Sequence, residues 1–143
     1  MRTPGAYAKA RIRALVGALE KYHQFQETDS LHRVRVEIKK LKTLLLVLGF
    51  ADQKFDAHKS YLPLRNIFRK ADQVRHPAVL RELMSEGGMS GLPVERLGDP
   101  VRKKDKFRAD TPFFMTEVKK LGKKMQSRWK RIRKKHIKSY VKE

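Results

Sequence analysis

Cysteine is absent from the 143-residue chain. That excludes disulfides, thiolate metal sites and a cysteine nucleophile, and it fits a reducing compartment. Acidic side chains are scarce: 15 Asp and Glu face 35 Lys and Arg, for a net charge of +20. The few carboxylates are scattered, so no pair stands out for acid–base work. Long apolar runs are missing too. The longest, Leu44 to Leu48, falls far short of the ~18 residues that suggest a membrane span, and no signal-length apolar stretch follows Met1 and Arg2. The expectation is a cytoplasmic protein without a membrane span. Aromatic residues make up 8% of the chain and fall largely at core spacing, which leaves little for stacking nucleic-acid bases. His23, His32, His58, His76 and His136 show no metal-type spacing, and there is no H-E-x-x-H, G-x-S-x-G, G-x-G-x-x-G or G-x-x-x-x-G-K-[ST]. The chain therefore reads as non-enzymatic, with no cofactor and no metal.

What is present is a strong helical period. Ala8, Ile12, Leu15, Leu19 and Tyr22 form one apolar stripe, and Leu31, Val34, Ile38, Leu41, Leu45 and Leu48 form a second. Asp29 or Ser30 is placed to cap that second helix, with Gly49 just past its end. Tyr61, Leu64, Phe68 and Ala71 make a third stripe, with Pro63 expected in its first turn and Pro77 expected to kink or end it. Phe114, Val118, Leu121 and Met125, followed by Trp129 or Ile132, make the last, with Thr111 as N-cap and Pro112 as first helical residue. No stretch alternates at period two for long enough to make a strand. The sequence predicts an all-α fold, a four-helix bundle in one domain over residues 1–143. Residues 85–111, with Gly87, Gly88, Gly91, Gly98, Pro93 and Pro100, read as a flexible, partly basic loop, and residues 136–143 as a basic tail.

The excess charge calls for a polyanionic partner. It is uneven: residues 101–143 carry 17 basic and 4 acidic side chains, whereas residues 51–100 carry 8 and 7. In the second helix, shifting the apolar series by one position yields His32, Arg35, Lys39 and Lys42. These lie on one line roughly 15 Å long, about 100° round from the core stripe. Like charges four apart repel, so an anion is wanted there. Arg33, Glu37 and Lys40 are expected further from the core. Arg65 and Arg69 repeat the spacing in the third helix, Lys9 and Arg13 in the first, and Lys120, Lys124, Arg128 and Arg131 in the last. Turned toward one another they would form a positive groove.

The run His32 to Lys42, H-R-V-R-V-E-I-K-K-L-K, resembles the signature of the CHAD family, H-x-x-R-V-x-x-[RK]-[RK]-L-[RK], with His32, Arg35, Val36, Lys39, Lys40, Leu41 and Lys42 on matching positions. A second run, Ala71 to Val79, is similar to that family's L-G-x-x-R-D-x-D-V: Arg75 and Val79 match, while His76 and Ala78 stand where the family has aspartates. The resemblance implies an all-helical, non-enzymatic module that binds inorganic polyphosphate, with His32, Arg35, Lys39, Lys40, Lys42 and Arg75 as contacts; Arg69, Lys120 and Lys124 join them from the basic rows. It also implies a CYTH-type triphosphate-processing protein as a partner. The family domain pairs two such helical units, and this chain has one. A homodimer with twofold symmetry would restore the pair. The competing reading is a nucleic-acid-binding protein that uses the same basic surface.

Overall fold

The computed structural model describes residues 3–87 and 100–141, with side chains described for residues 3–75 and 102–133. Four helices follow in order: α1 (Pro4–Phe25), α2 (Thr28–Ala51), α3 (Ala57–Gly87) and α4 (Pro100–Val141). There is no strand among the described residues. The all-α four-helix bundle is thus observed.

α1 starts where Thr3 accepts a hydrogen bond on its hydroxyl from the Ala6 amide and Pro4 takes the first turn. It stops at Gln26, whose left-handed backbone (φ 52°) turns the chain and lets its amide reach the Tyr22 carbonyl. α2 begins two residues earlier than the Asp29 cap predicts, with Glu27 as N-cap and Asp29 inside the first turn, where a carboxylate suits the helix dipole. Gly49 is not its stop signal. It lies inside α2, where a Cβ would stand 3.1 Å from the Ala57 Cβ, so its small size lets the start of α3 come close.

Each helix packs against its chain neighbours, and α1 also packs against α4, so the four form a ring in which α2 and α4 barely meet across the diagonal. The α2–α3 pair and the α1–α4 pair therefore make opposite faces. The stripes of α1 and α2 are buried as their periodicity predicts. Leu64, Ile67, Ala71 and Val74 come in from α3, and Phe114, Val118, Leu121 and Met125 from α4.

α3 does not end at Pro77, and at Pro112 the structure differs from the expectation. α3 runs through Pro77 to Gly87, and α4 begins at Pro100 and runs straight through Thr111 and Pro112. Residues 85–87 and 100–111 of the expected loop are thus helical, and residues 88–99 lie outside the described residues. For α4 the reason is Phe107. It extends the α4 stripe backwards by one position per turn, is 2% exposed, and meets the Tyr22 ring edge-on at 5.3 Å and Phe114 at 5.3 Å. Thr111 is buried inside the helix, and its hydroxyl donates to the Phe107 carbonyl at 2.9 Å. Residues 136–141 of the expected basic tail continue α4 as helix. Pro63 lies beyond the first turn of α3.

Candidate functional site

The predicted line on α2 faces the seam with α3. Arg35 Nη2 lies 3.3 Å from Asp72 Oδ1, and its guanidinium sits 4.9 Å from the Phe68 ring centre. Lys39 Nζ stands 6.0 Å from the same ring, and Lys42 Nζ 5.1 Å from Tyr61. Two α3 aromatics thus support three successive cations of α2. The ring faces attract the charge and cover the aliphatic stems; Lys39 and Lys42 stay exposed, while Arg35 is mostly covered. Rigid support of this kind lowers the ordering cost when an anion binds. His32 extends the line one turn further and is exposed.

α3 supplies its own cations to this edge. Arg65 lies four residues after Tyr61, and Arg75 three after Asp72, so helical spacing places both on the α2-facing edge. Arg69, next to Phe68, lies on the solvent side of that edge and is exposed. The face therefore holds Arg35, Lys39, Lys42, Arg65, Arg69 and Arg75, with Asp72 as the carboxylate among them. Asp72 engages Arg35, so one member of the line carries a built-in counter-ion. Lys39 and Lys42 have none among the described residues.

Three of the sequence-predicted residues belong elsewhere. Lys40 points to the α1 side of α2, where its Nζ is 3.9 Å from Glu37 Oε1. Glu37, expected away from the core, is completely buried. Arg11 of α1 donates from Nη1 to both of its carboxylate oxygens, at 3.1 and 3.2 Å. A carboxylate can be buried there because the guanidinium answers it. Lys120 pairs with Glu117 one turn back in α4, at 3.9 Å. Lys124 reaches Ser60 Oγ at 3.0 Å and the Phe55 ring at 5.3 Å, locking α4 onto the start of α3. Arg128 continues that role, with Nη1 3.3 Å from Asp52 Oδ2. Of the basic row on α4, Lys124 and Arg128 thus fasten α4 to the start of α3 and the end of α2, Lys120 pairs within α4, and none of the three joins the α2 line.

Asp72 is what the sequence reading missed. Its position four residues after Phe68 put it on the same edge, but it entered only as part of a family-like run. No group of three or more His, Asp or Glu side chains among the described residues could hold a metal ion, and no described helix is long and apolar enough to cross a membrane. Comparisons with protein-family models, with curated proteins and with solved structures find no match to this chain.

Proposed function

We propose that this protein is a non-enzymatic module that holds inorganic polyphosphate along the α2–α3 face. The observation that carries the reading is the unbroken file of Arg35, Lys39 and Lys42, braced on Phe68 and Tyr61. A chain of phosphoryl groups presents a repeating charge with no bases to read, and an evenly spaced row of cations on a rigid rod matches that demand. The reading also draws on the likeness of His32–Lys42 to the CHAD signature. Nucleic acid is the weaker fit because the two aromatic faces at the seam are already covered by cations, so bases would have no stacking platform. Asp72, the carboxylate at the seam, is held by Arg35, which suits binding better than proton transfer.

The test is a competition among long-chain polyphosphate, single-stranded DNA and RNA at matched phosphate concentration and physiological salt. Polyphosphate should win, and its affinity should fall steeply with added salt as counterions are released. The double variant R35Q/K39Q should lose about tenfold in affinity, whereas K134Q/K135Q should lose far less. Equal losses, or preference for nucleic acid, would overturn the assignment. The likeness to a two-unit family further supports a twofold dimer, formed once the polyanion offsets the repulsion between the two basic chains, and a CYTH-type protein as neighbour. Light scattering that finds one chain per particle with and without polyphosphate would dismiss the dimer.

A further inference from the structure

The opposite face of the bundle carries a second set of cations. Lys9 and Arg13 stand one turn apart on α1, and Lys119, Lys123 and Lys130 stand across from them on α4. Together they line an open groove of about 560 Å³. Its floor is Ile12 and Gly122, and there the helices come so close that a Cβ on residue 122 would lie 3.0 Å from Ile12 Cγ2. No acidic side chain lines the groove. Among the described residues none of the five cations has a carboxylate partner.

Lys39 and Lys42 on the α2–α3 face are likewise unpaired, but that face holds Asp72, whereas the groove has no acid at all. Glu37 answers Arg11 and Lys40, Asp72 answers Arg35, Asp110 answers Lys70, Glu117 answers Lys120, and Asp52 answers Arg128. The scarce carboxylates are thus spent on the other faces. Like charges one turn apart, as in Lys9–Arg13 and Lys119–Lys123, each cost some helix stability. A concave wall of low polarity beneath them concentrates their field on whatever enters. No aromatic side chain lines the groove, so it offers bases no platform and suits a bare phosphate chain.

We propose that the α1–α4 groove is a second, independent site for a polyphosphate chain, so that one molecule holds two strands on opposite faces and bridges them. The bridging, though not the groove's own binding, rests on the assignment of the α2–α3 face. The two faces are separated by two layers of helix, roughly 20 Å. That exceeds the ~8 Å screening length at physiological salt, so the two bound strands scarcely repel each other.

The experiment uses the full chain with short polyphosphate chains labelled separately with donor and acceptor dyes. Sedimentation counts the protein and polyphosphate chains in each complex, and energy transfer reports two strands on one protein. The parent should carry two strands per molecule. R13Q/K119Q/K123Q should carry one, lose energy transfer, and show a salt slope shallower by about 2. R35Q/K39Q/R69Q should also carry one, retained in the groove. A groove variant that still carries two strands, or a groove that takes single-stranded DNA ahead of polyphosphate, would overturn the inference. An α2–α3 variant that still carries two strands would instead remove the face assigned above and leave the groove standing. Circular dichroism checks folding, and K9Q/K130Q gives the same readout should the triple variant lose helix.

Discussion

His23 and Arg108 hold each other by two reciprocal bonds across the α1–α4 contact. His23 Nδ1 lies 3.1 Å from the Arg108 carbonyl oxygen, and Arg108 Nε donates to the His23 carbonyl at 3.0 Å. A carbonyl can only accept, so the ring proton sits on Nδ1. The pair explains how α4 tolerates a proline in its interior. Pro112 has no amide hydrogen, which leaves the Arg108 carbonyl four residues earlier without its helical donor. The His23 ring supplies the missing donor from outside the helix.

Pro112→Ala should therefore stabilise the protein, by up to about 3 kcal/mol where the helix relaxes fully. It should also make His23 dispensable. In the parent, His23→Ala should cost about 1 kcal/mol; in the Pro112→Ala background it should cost much less, because the new amide takes over the carbonyl. Urea titrations of the four proteins in this cycle check the coupling. Strictly additive effects would mean that His23 does not compensate for the proline.

Asp72→Asn should strengthen polyphosphate binding. The Asp72 carboxylate is about half exposed and Arg35 mostly covered, so the pair adds at most about 1 kcal/mol to stability. Removing the negative charge frees Arg35 for the ligand. The expected result is two- to fivefold tighter binding at low salt, roughly the equivalent of one surface ion pair. The gain should vanish near 1 M salt, where the screening length drops to about 3 Å. Isothermal titration at several salt concentrations measures it, and unchanged or weaker binding would place the ligand away from Arg35.

Glu37 has a purely architectural part between α1 and α2. Glu37→Ala should cost about 3 kcal/mol, because it leaves the largely covered Arg11 guanidinium without its partner. Replacing both residues together with Met should cost much less, since no orphaned charge remains. Polyphosphate affinity at a temperature where all variants are folded should not change. A loss of affinity in the double Met variant would place Arg11 in the binding surface.

The core of α1 and α2 was legible because their apolar residues recur without interruption, and burial follows that recurrence directly. The direction of the α2 line was legible for the same reason, since a residue one step from the seam must lie beside it. α4 was misread for a physical reason. Its stripe is flanked on both sides by basic residues, Lys119 and Lys123 on one flank and Lys120 and Lys124 on the other. Periodicity cannot tell which flank meets α3. The partners that decide it, Ser60 and Asp52, lie elsewhere in the sequence. Its start was misread because local proline chemistry at Thr111–Pro112 resembles a helix N-terminus, whereas the tertiary contacts of Phe107 and His23 outweigh the cost of a proline inside the helix.

Tyr22 provides a pH-dependent test of the packing at the α1–α4 contact. Burial pushes its hydroxyl above the usual tyrosine value of 10.0, the Asp105 carboxylate pushes it further, and Arg108 partly offsets both. The hydroxyl is buried without a hydrogen-bond partner. The folded state thus keeps its proton where the unfolded chain has released it. The stability linked to this group is fully present below pH 10 and is lost as pH rises from there through the higher folded-state value. Tyr22→Phe removes the titration and an unsatisfied hydroxyl while keeping the ring against Phe107. The variant should match or slightly exceed the parent at pH 7, and its advantage should widen steadily above pH 10. Because lysines also lose charge in that range, the informative quantity is the difference between the two proteins, followed by thermal melts from pH 7 to 11. A constant difference across the series would show that Tyr22 ionises as freely in the folded protein as in the unfolded chain.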